Sequence, residues 1–439
     1  MKQKFLLGLA LAVVLGVLAV STAATAGTLS VCPSGCSYST IQSAINAAFS
    51  GDTVFVGSGT YVENVVIDKP LTLRGAKQNA VIIVPAISNP NPCAGSSLCG
   101  GTASNIILVQ ADNVTLEKLT LDGDNPNLTS GIVRGGADVD ARNGIITNYL
   151  LSGVASNSLI VSNVTVRNIY LRGIYAASGG SFQFENNVVT NVQGDAYSIG
   201  IFNYEGAGVM QDNKVSFTND AISSNWSSGV QFLGNKISHS ASGVHTDNAG
   251  ISAPDLIKDN KVEDCLPDGY GIWVFVPYVA PTVQDNAVEG CSVGLAAFGQ
   301  GAAVTTQFIH NEVSRNGALS SKPASSIGVI VTTDILGYGY TDVSALFTNN
   351  EITKFNTGVY VEKHGELFQF KEGGGGQATA TFHNNIIEKN KTGANGMPDT
   401  DVNAENNWWG CAAGPNQPGC DTAIGTVDFT PWLTQEPHL

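Results

Sequence analysis

Basic residues are scarce in this chain of 439 residues. It has 21 lysines and arginines against 36 aspartates and glutamates, and its net charge is −15. Binding the phosphates of a nucleic acid, or an anionic membrane surface, takes a surplus of basic side chains. We therefore expect no nucleic-acid partner and no charge-driven binding to anionic lipid.

Long apolar runs are rare as well. One run, residues 5–20, follows Lys2 and Lys4 and precedes the small residues Ala24-Thr25-Ala26. This order is typical of a secretory signal peptide, which we place at residues 1–26, with a retained membrane anchor as the alternative. No later segment is apolar enough to span a bilayer. The protein is therefore predicted to be secreted, either to the periplasm or outside the cell.

The eight cysteines lack the spacing with histidines that zinc sites show. In an exported chain, they indicate disulfides. Three pairs are close in sequence, and the fourth occupies matching positions in a repeat. The predicted pairs are Cys32 with Cys36, Cys93 with Cys99, Cys265 with Cys291, and Cys411 with Cys420.

A helical period is missing, and so is the regular leucine consensus of leucine-rich repeats. Instead, the motif DNKVEDC from Asp259 recurs as DNAVEGC from Asp285. Between such motifs comes a small residue followed by an apolar one, as at Gly243-Val244 and Gly271-Ile272. The second residue of the motif recurs at Asn163, Asn187, Asn213, Asn235, Asn260, Asn286, Asn311, Asn350, Asn385 and Asn407.

A repeat of about 24 residues built from short β-rich runs is typical of one coil of a parallel β-helix. Coils about 4.8 Å apart would let equivalent asparagines hydrogen-bond to one another. We therefore predict an all-β fold, a single-stranded right-handed parallel β-helix over residues 51–407. The handedness follows from the bias of parallel crossovers.

The segments on either side are predicted to close the ends of this solenoid within one domain. The N-terminal cap, residues 27–50, contains an amphipathic helix that starts at a Ser/Thr cap and places Ile41, Ile45, Ala48 and Phe49 on one face. The C-terminal cap is predicted at residues 408–439. An uncapped end would expose the core and the backbone of the last coil.

Three stretches carry a resemblance to known proteins. TIQSAINAAFSGDTVFVGSGTYVENVVIDKPLTLRG, from Thr40 to Gly75, resembles the N-terminal segment of pectin methylesterases and of many secreted right-handed parallel β-helix proteins. The asparagine motifs are similar to the repeats of polysaccharide lyases, hydrolases and epimerases. NNWWGCAAGPNQPGC, from Asn406, is similar to closing motifs of bacterial proteins in the same pectin lyase-like superfamily. The resemblance implies the fold and a polysaccharide or cell-surface glycan as partner.

The resemblance implies no catalytic residues, because the catalytic motifs of pectin methylesterases, polygalacturonases and alginate epimerases are absent from the sequence. Whether the chain is an enzyme stays open; a lyase or glycoside hydrolase-like activity is the expectation if it is. His245 and Asp247, two positions apart on one strand face, are candidates for a base and its orienting carboxylate. Arg172 or Arg142 is a candidate for the base of a lyase.

Strand alternation predicts which side chains point outward from the coils. Aromatic rings among them would suit the flat faces of sugars. The alternative is a structural or adhesive surface solenoid in which these rings are incidental. The predicted saccharide-binding residues are Tyr175, Phe202, Tyr204, Trp226, His245, Asp247, Trp273 and Phe275.

A polar segment near residues 122–143 is dense in oxygen donors among glycines. Calcium takes six to eight oxygen ligands, although the spacing here is not that of an EF-hand. The alternative is a salt-linked loop in which Arg134 and Arg142 pair with the carboxylates. The cofactor is accordingly predicted to be none or calcium, with candidate ligands Asp122, Asp124, Asn125, Asn127, Asp138 and Asp140.

Overall fold

The computed structural model describes residues 26–177, 180–248, 253–315, 326–336, 338–363 and 375–439. All but the last residue of the predicted signal peptide lies outside this part of the chain. Within it, no helix has the length and apolar character needed to cross a membrane.

The described chain winds through successive coils, and each full coil adds one strand to each of three parallel sheets. Sheets 2 and 3 are joined, because Thr165–Ala177 runs through both. Sheet 1 contains Thr28–Val31, Thr53–Val56, Leu71–Gly75, Val114–Glu117, Leu159–Ser162, Ser181–Glu185, Ala207–Gln211, Gln231–Leu233, Leu256–Lys258, Thr282–Gln284, Thr306–Ile309, Val343–Thr348, Ala378–His383, Asp401–Asn403 and Val427–Asp428. Sheet 2 contains Gly59–Val62, Val81–Val84, Thr120–Asp122, the first part of Thr165–Ala177, Val188–Val192, Lys214–Thr218, Lys236–Ser238, Lys261–Glu263, Ala287–Glu289, Glu312–Ser314, Glu351–Thr353 and Ile386–Glu388.

Sheet 3 carries the candidate site and is described further below. It contains Val65–Ile67, Asn105–Val109, Ala141–Thr147, the second part of Thr165–Ala177, Ile199–Tyr204, Asp220–Asn225, Ser242–Asp247, Tyr270–Phe275, Val293–Ala297, Ile327–Thr332, Thr357–Glu362, Thr392–Gly396 and Ala423–Gly425. Outside the three sheets lie the antiparallel pair Val133–Arg134 and Ala137–Asp138, the short helix Tyr149–Ser152 and the 3-10 turn Cys99–Gly101. The predicted all-β parallel β-helix is confirmed.

The N-terminal helix, Ile41–Ala47, begins as predicted. Its cap residue Thr40 accepts a hydrogen bond from the backbone of Ser43. Ile41, Ile45 and Ala48 are buried against the first coils. Phe49, predicted on the same face, is instead 78% exposed, because the helix ends at Ala47 and the chain turns away.

The asparagines form a ladder at the turn from sheet 1 to sheet 2. Each side-chain amide from Asn187 onward donates to the Oδ1 of the next asparagine, ending at Asn407, over 2.8 to 3.0 Å. Each Oδ1 also accepts the backbone N–H of the preceding ladder residue, as Asn286 does from Asn260 at 2.9 Å. Because the same hydrogen bonds recur between neighbouring coils, each of these buried amides has its partners.

Asn163 is not part of this ladder, which corrects the predicted register at its first position. It is exposed with φ +55°, and Val164 takes the ladder place by donating its backbone N–H to Asn187 Oδ1. The residue before each ladder asparagine has the same left-handed conformation, for example Asp259 at φ +57° and Asp285 at +56°. Asparagine and aspartate adopt it more readily than most residues. The left-handed backbone at this turn therefore explains why an acidic or amide residue so often precedes the ladder asparagine.

In the strands of sheet 3 from Ile199–Tyr204 to Thr392–Gly396, the small residue at the second position is fixed by close packing between coils. A Cβ at Gly243 would lie 2.2 Å from the carbonyl oxygen of Gly271, and one at Gly271 would lie 2.5 Å from that of Gly294. Glycine lets the coils approach this closely, so this landmark of the sequence is structural.

The four predicted disulfides are present in the structure. The pair that joins neighbouring coils, Cys265 and Cys291, has its Cα atoms 4.7 Å apart. The other three close short loops: Cys32 with Cys36, Cys93 with Cys99, and Cys411 with Cys420.

The sheets extend into both predicted caps. Thr28–Val31 pairs with Thr53–Val56, and Val427–Asp428 pairs with the strand Asp401–Asn403. The cap segments thus close the solenoid partly by adding strands to sheet 1, so residues 51 and 407 are not the ends of the sheets.

Candidate functional site

The outer face of sheet 3 presents parallel rows of side chains, one residue per coil, because the strands pair without a shift in this region. The central row places residues of six successive coils side by side. It runs through Tyr175, Phe202, Ser223, His245, Trp273 and Ala296. Alternation along the strands predicted that Tyr175, Phe202, His245 and Trp273 point outward, but exposure differs from coil to coil.

The first part of the row is covered. Tyr175 and Phe202 are stacked with their ring centres 4.6 Å apart and are only 4% and 5% exposed. Leu98, in the loop closed by Cys93 and Cys99, packs on them in a separate apolar cluster. Their expected exposure is therefore wrong, because sequence alternation reports the side of the sheet and not what lies over it. Saccharide binding by these two rings stays a prediction.

The last part of the row is also apolar. Trp273 and Phe275 are half-buried and meet Phe298 edge to face, at 5.7 and 6.0 Å between ring centres. Val293 and Ile330 are buried in the same cluster. Trp273 is thus less accessible than a fully exposed ring on which a sugar could stack.

Between these two clusters lies a cleft of about 840 Å³. It spans the coils that carry Ser223 and His245, where the row changes from aromatic to polar. Phe202 and Trp273 form its two apolar ends. Its described lining also includes Arg172, Tyr197, Asp220, Ser223, Asn225, Ser242, His245 and Leu336.

His245 is held on the floor of this cleft. Its Nδ1 lies 3.0 Å from Ser223 Oγ and 3.5 Å from Asp220 Oδ2, both on the preceding coil. Trp273, on the following coil, stacks on the imidazole with ring centres 3.6 Å apart and planes 6° apart, and its indole N–H donates to Ser242 Oγ at 2.6 Å. The carboxylate within ion-pair distance is therefore that of Asp220, which corrects the predicted pairing of His245 with Asp247.

Asp247 occupies the neighbouring row and has a separate environment. Burial raises the pKa of Asp247 to about 6, against the opposing effects of His245 and of the backbone N–H of Trp226. Trp226 itself follows the strand Asp220–Asn225 and is 52% exposed. It does not line the cleft around His245.

A second cleft, of about 430 Å³, adjoins the first. Tyr175 and Tyr204 line it together with Tyr149, Glu205 and residues 95–97 of the disulfide loop. Tyr204 is half-buried, with its pKa raised by burial and by Glu205. The predicted face is thus divided into two depressions with Arg172 between them, since Arg172 lines both.

Arg172 is held by its surroundings. Its guanidinium lies 4.8 Å from the ring centre of Phe202, its Nε donates to Ser97 Oγ at 3.3 Å, and its Nη1 donates to the carbonyl of Tyr197. Burial lowers the pKa of Arg172 to about 10. A lowered pKa suits a proton acceptor better, but the side chain remains a cation at neutral pH.

Arg142, the other predicted basic candidate, has a structural role. It is buried, and it donates to the carbonyl groups of Pro90, Ser96 and Ser97 at 2.9 to 3.2 Å. These bonds fix the disulfide loop over Tyr175 and Phe202. Arg142 therefore shapes the site from behind and is not among the residues that line either cleft.

The predicted calcium ligands lie in a loop that is closed by protein contacts. Asp122 pairs with Arg167 at 2.8 Å and accepts from Asn168, so the ion pair involves neither Arg134 nor Arg142. Asp138 accepts from Ser130, and Asp140 accepts the backbone N–H of Asn125 at 3.0 Å.

The remaining predicted calcium ligands, Asn125, Asn127 and Asp124, add few oxygen atoms that could surround an ion. Asn127 donates its backbone N–H to Asn125 Oδ1, and burial together with Asp122 raises the pKa of Asp124. Within the described ranges, no group of three or more carboxylate, histidine or cysteine side chains is placed to hold a metal ion. Calcium binding stays a prediction, which titration with CaCl₂ in a calorimeter tests.

The residues of the main cleft that were missed in the sequence include Tyr197, Asp220 and Ser223. Tyr197 lies in a loop and is 76% exposed. Asp220 and Ser223 lie in the coil where alanine replaces the landmark glycine, at Ala221. Ser223 could have been predicted from Asn213, the ladder residue of its coil. Ser223 and His245 lie at the same distance in sequence after the ladder asparagines of their own coils, so the two positions align.

Comparison with known proteins identifies the fold. Residues 151–321 match the family model for a right handed beta helix region, in agreement with the predicted handedness. No curated protein matches the chain.

Solved structures extend the likeness to most of the chain. A polygalacturonase from Erwinia carotovora ssp. carotovora is similar over 77% of this chain and 94% of its own, with 12% identity and a TM-score of 0.52. The catalytic domain of a GH87 α-1,3-glucanase in complex with nigerose is similar over 92% of this chain and 69% of its own, with 13% identity and a TM-score of 0.56. The chain thus shares the right-handed parallel β-helix fold of these polysaccharide-processing enzymes.

Proposed function

We propose that this protein binds a polysaccharide in the cleft on the outer face of sheet 3. The observation that carries the proposal is the composition of that cleft, where aromatic rings flank a floor of polar side chains. Sugars have apolar faces and hydroxyl edges, and such sites are mostly apolar with a few placed polar groups. The fold shared with a polygalacturonase and an α-1,3-glucanase points to the same class of partner.

We also propose that the protein works outside the cytoplasm. Four disulfides support this, because such bonds persist in oxidising compartments. The signal peptide predicted at residues 1–26 supports the same location. N-terminal sequencing of the protein recovered from the culture medium or the periplasm tests it, and an N-terminus at Gly27 is the expected result.

A structural or adhesive solenoid is the second candidate function. It is favoured by the low exposure of Tyr175 and Phe202, which leaves little of these two predicted binding rings accessible to a glycan. Release of soluble sugars from a panel of neutral and uronic-acid polymers tests for turnover. Binding without release would leave a binding protein, and neither binding nor release would favour the structural role.

The proposed binding is tested by affinity gel electrophoresis of the purified protein in the same panel of polymers. Tyr197→Ala should reduce retardation in the gel by at least half, because its ring lines the cleft and is 76% exposed. Phe49→Ala is the matched control, since Phe49 is 78% exposed at the N-terminal end of the solenoid. Equal retardation of all three proteins would place any glycan elsewhere.

A further inference from the structure

Two residues that line the cleft each have a buried polar side-chain atom without a hydrogen-bond partner. Among the described residues, neither His245 Nε2 nor Asp220 Oδ1 has one. The side chain of His245 is only 9% exposed and that of Asp220 only 18%. Buried polar atoms in native proteins are normally satisfied, so a pair of them on the wall of a cleft calls for a ligand or water.

The hydrogen bonds around His245 decide which role its free nitrogen takes. Ser223 Oγ donates to Asn225 Oδ1 at 3.1 Å, so its proton is not available to the imidazole. The contact of 3.0 Å between Ser223 Oγ and His245 Nδ1 then has Nδ1–H as its donor. In the neutral imidazole only one nitrogen carries a proton, which leaves Nε2 as an acceptor.

The second free atom has the same requirement. Asp220 Oδ1 belongs to a carboxylate, which accepts hydrogen bonds and donates none when ionised. Both free atoms therefore need a donor from the ligand. A sugar hydroxyl supplies one, whereas a uronate carboxylate would bring a second negative charge next to Asp220.

We propose that Asp220 and His245 form an acceptor site for saccharide hydroxyl groups, and that the cleft consequently selects a neutral sugar residue over a uronate. This proposal rests on the proposed function and specifies its ligand class. The cation of the cleft, Arg172, already donates to Ser97 and Tyr197 and lies against Phe202. Trp273, stacked on the imidazole, keeps His245 in this orientation.

The test measures the affinity of the full chain for a soluble β-glucan, dextran and polygalacturonate at pH 8. Asp220→Asn, which puts a donor next to the free position, should weaken binding of the neutral polymer about tenfold. Lys214→Ala, an exposed residue on sheet 2, is the control and should bind like the wild type.

Each outcome decides between the two proposals. Preference for polygalacturonate that Tyr197→Ala abolishes would overturn the hydroxyl acceptor site and leave the binding cleft in place. A neutral-glycan affinity unchanged within twofold by Asp220→Asn would overturn it as well. Binding of no polymer would overturn the proposed function itself. The wild-type comparison of the neutral polymers with polygalacturonate needs no variant, so the test holds if a substitution impairs folding.

Discussion

The two sides of one coil differ in how strictly they repeat. At the turn from sheet 1 to sheet 2, each asparagine from Asn187 to Asn385 donates to the next one along the ladder, which ends at Asn407. On the outer face of sheet 3, the equivalent residue changes from Phe202 to Ser223, His245 and Trp273 over four coils. The turn must satisfy buried amides and is constrained by its neighbours above and below, whereas the outer face is free to vary. Regularity thus marks what holds the solenoid together, and its local loss coincides with the cleft that we propose as the binding site.

The largest effect on stability is expected when one asparagine of the ladder is replaced. Asn260→Ala should lower the free energy of unfolding by about 4 kcal/mol, because it leaves the backbone and side-chain N–H groups of Asn235 and the carbonyl of Phe232 without partners. Urea unfolding measures it. Asn163→Asp is the control, because Asn163 is exposed and aspartate occupies the same turn position at Asp259. Equal losses in the two variants would contradict the assigned register.

The next effect concerns the covered part of the outer face. Phe202→Ala should lower the free energy of unfolding by about 3 kcal/mol, as truncation of a buried ring does. Tyr197→Ala, in the same cleft but exposed, should change it by less than about 0.5 kcal/mol. Thermal and urea unfolding of both variants measure the difference. A near-zero cost for Phe202→Ala would show that the disulfide loop does not cover it in solution.

A smaller effect has the opposite sign and depends on pH. Burial raises the pKa of Asp247 to about 6, above its unfolded value of about 3.9, so the folded state binds the proton more tightly. The ionised carboxylate therefore destabilises the fold above pH 6, and this penalty disappears as the pH falls to about 4. Asp247→Asn should add about 1.5 kcal/mol at pH 7.5, discounted for partial exposure, and nothing near pH 4.

Urea unfolding across this pH range measures the gain. The control is Asp401→Asn, an exposed aspartate on sheet 1, which should change stability little at any pH. A gain for Asp247→Asn that persists at pH 4 would contradict the titration as its cause.

The smallest effect is expected at Trp226, the most exposed ring of the predicted face. Trp226→Ala should leave the free energy of unfolding within about 0.5 kcal/mol of the wild type. If a long glycan extends beyond the cleft onto this ring, affinity should fall about fivefold, and Trp226→Phe should restore most of it. Calorimetric titration with the polymer measures both. An unchanged affinity would confine the binding site to the cleft.

Much of the fold followed from spacing in the sequence. The distance from Asn260 to Asn286, repeated along the chain, predicted the coils, the ladder and the disulfide between Cys265 and Cys291. The register was wrong at Asn163, because the turn residue and the ladder residue are adjacent and either can be asparagine. Phe49 was misplaced because nothing in the apolar pattern marks the end of the helix at Ala47.

The candidate site was predicted less well. Alternation placed Tyr175, Phe202, His245 and Trp273 in one outward row, as the strand pairing shows, since alternation is a property of the extended backbone. It gave no account of the loop that buries Tyr175 and Phe202, which lies far from them in sequence. Nor did it pair His245 with Asp220, because their contact depends on the order of residues in two different coils.

The sequence by itself determined the repeat, the parallel stacking, the disulfide pairs and the side of the sheet on which each residue lies. These depend on interactions between equivalent positions of neighbouring coils, which a period in the sequence displays directly. The tertiary structure alone decided which outward residues are covered, where the cleft opens and which carboxylate meets His245. Those features come from loops and coils that break the period, and their contacts join residues with no fixed spacing along the chain.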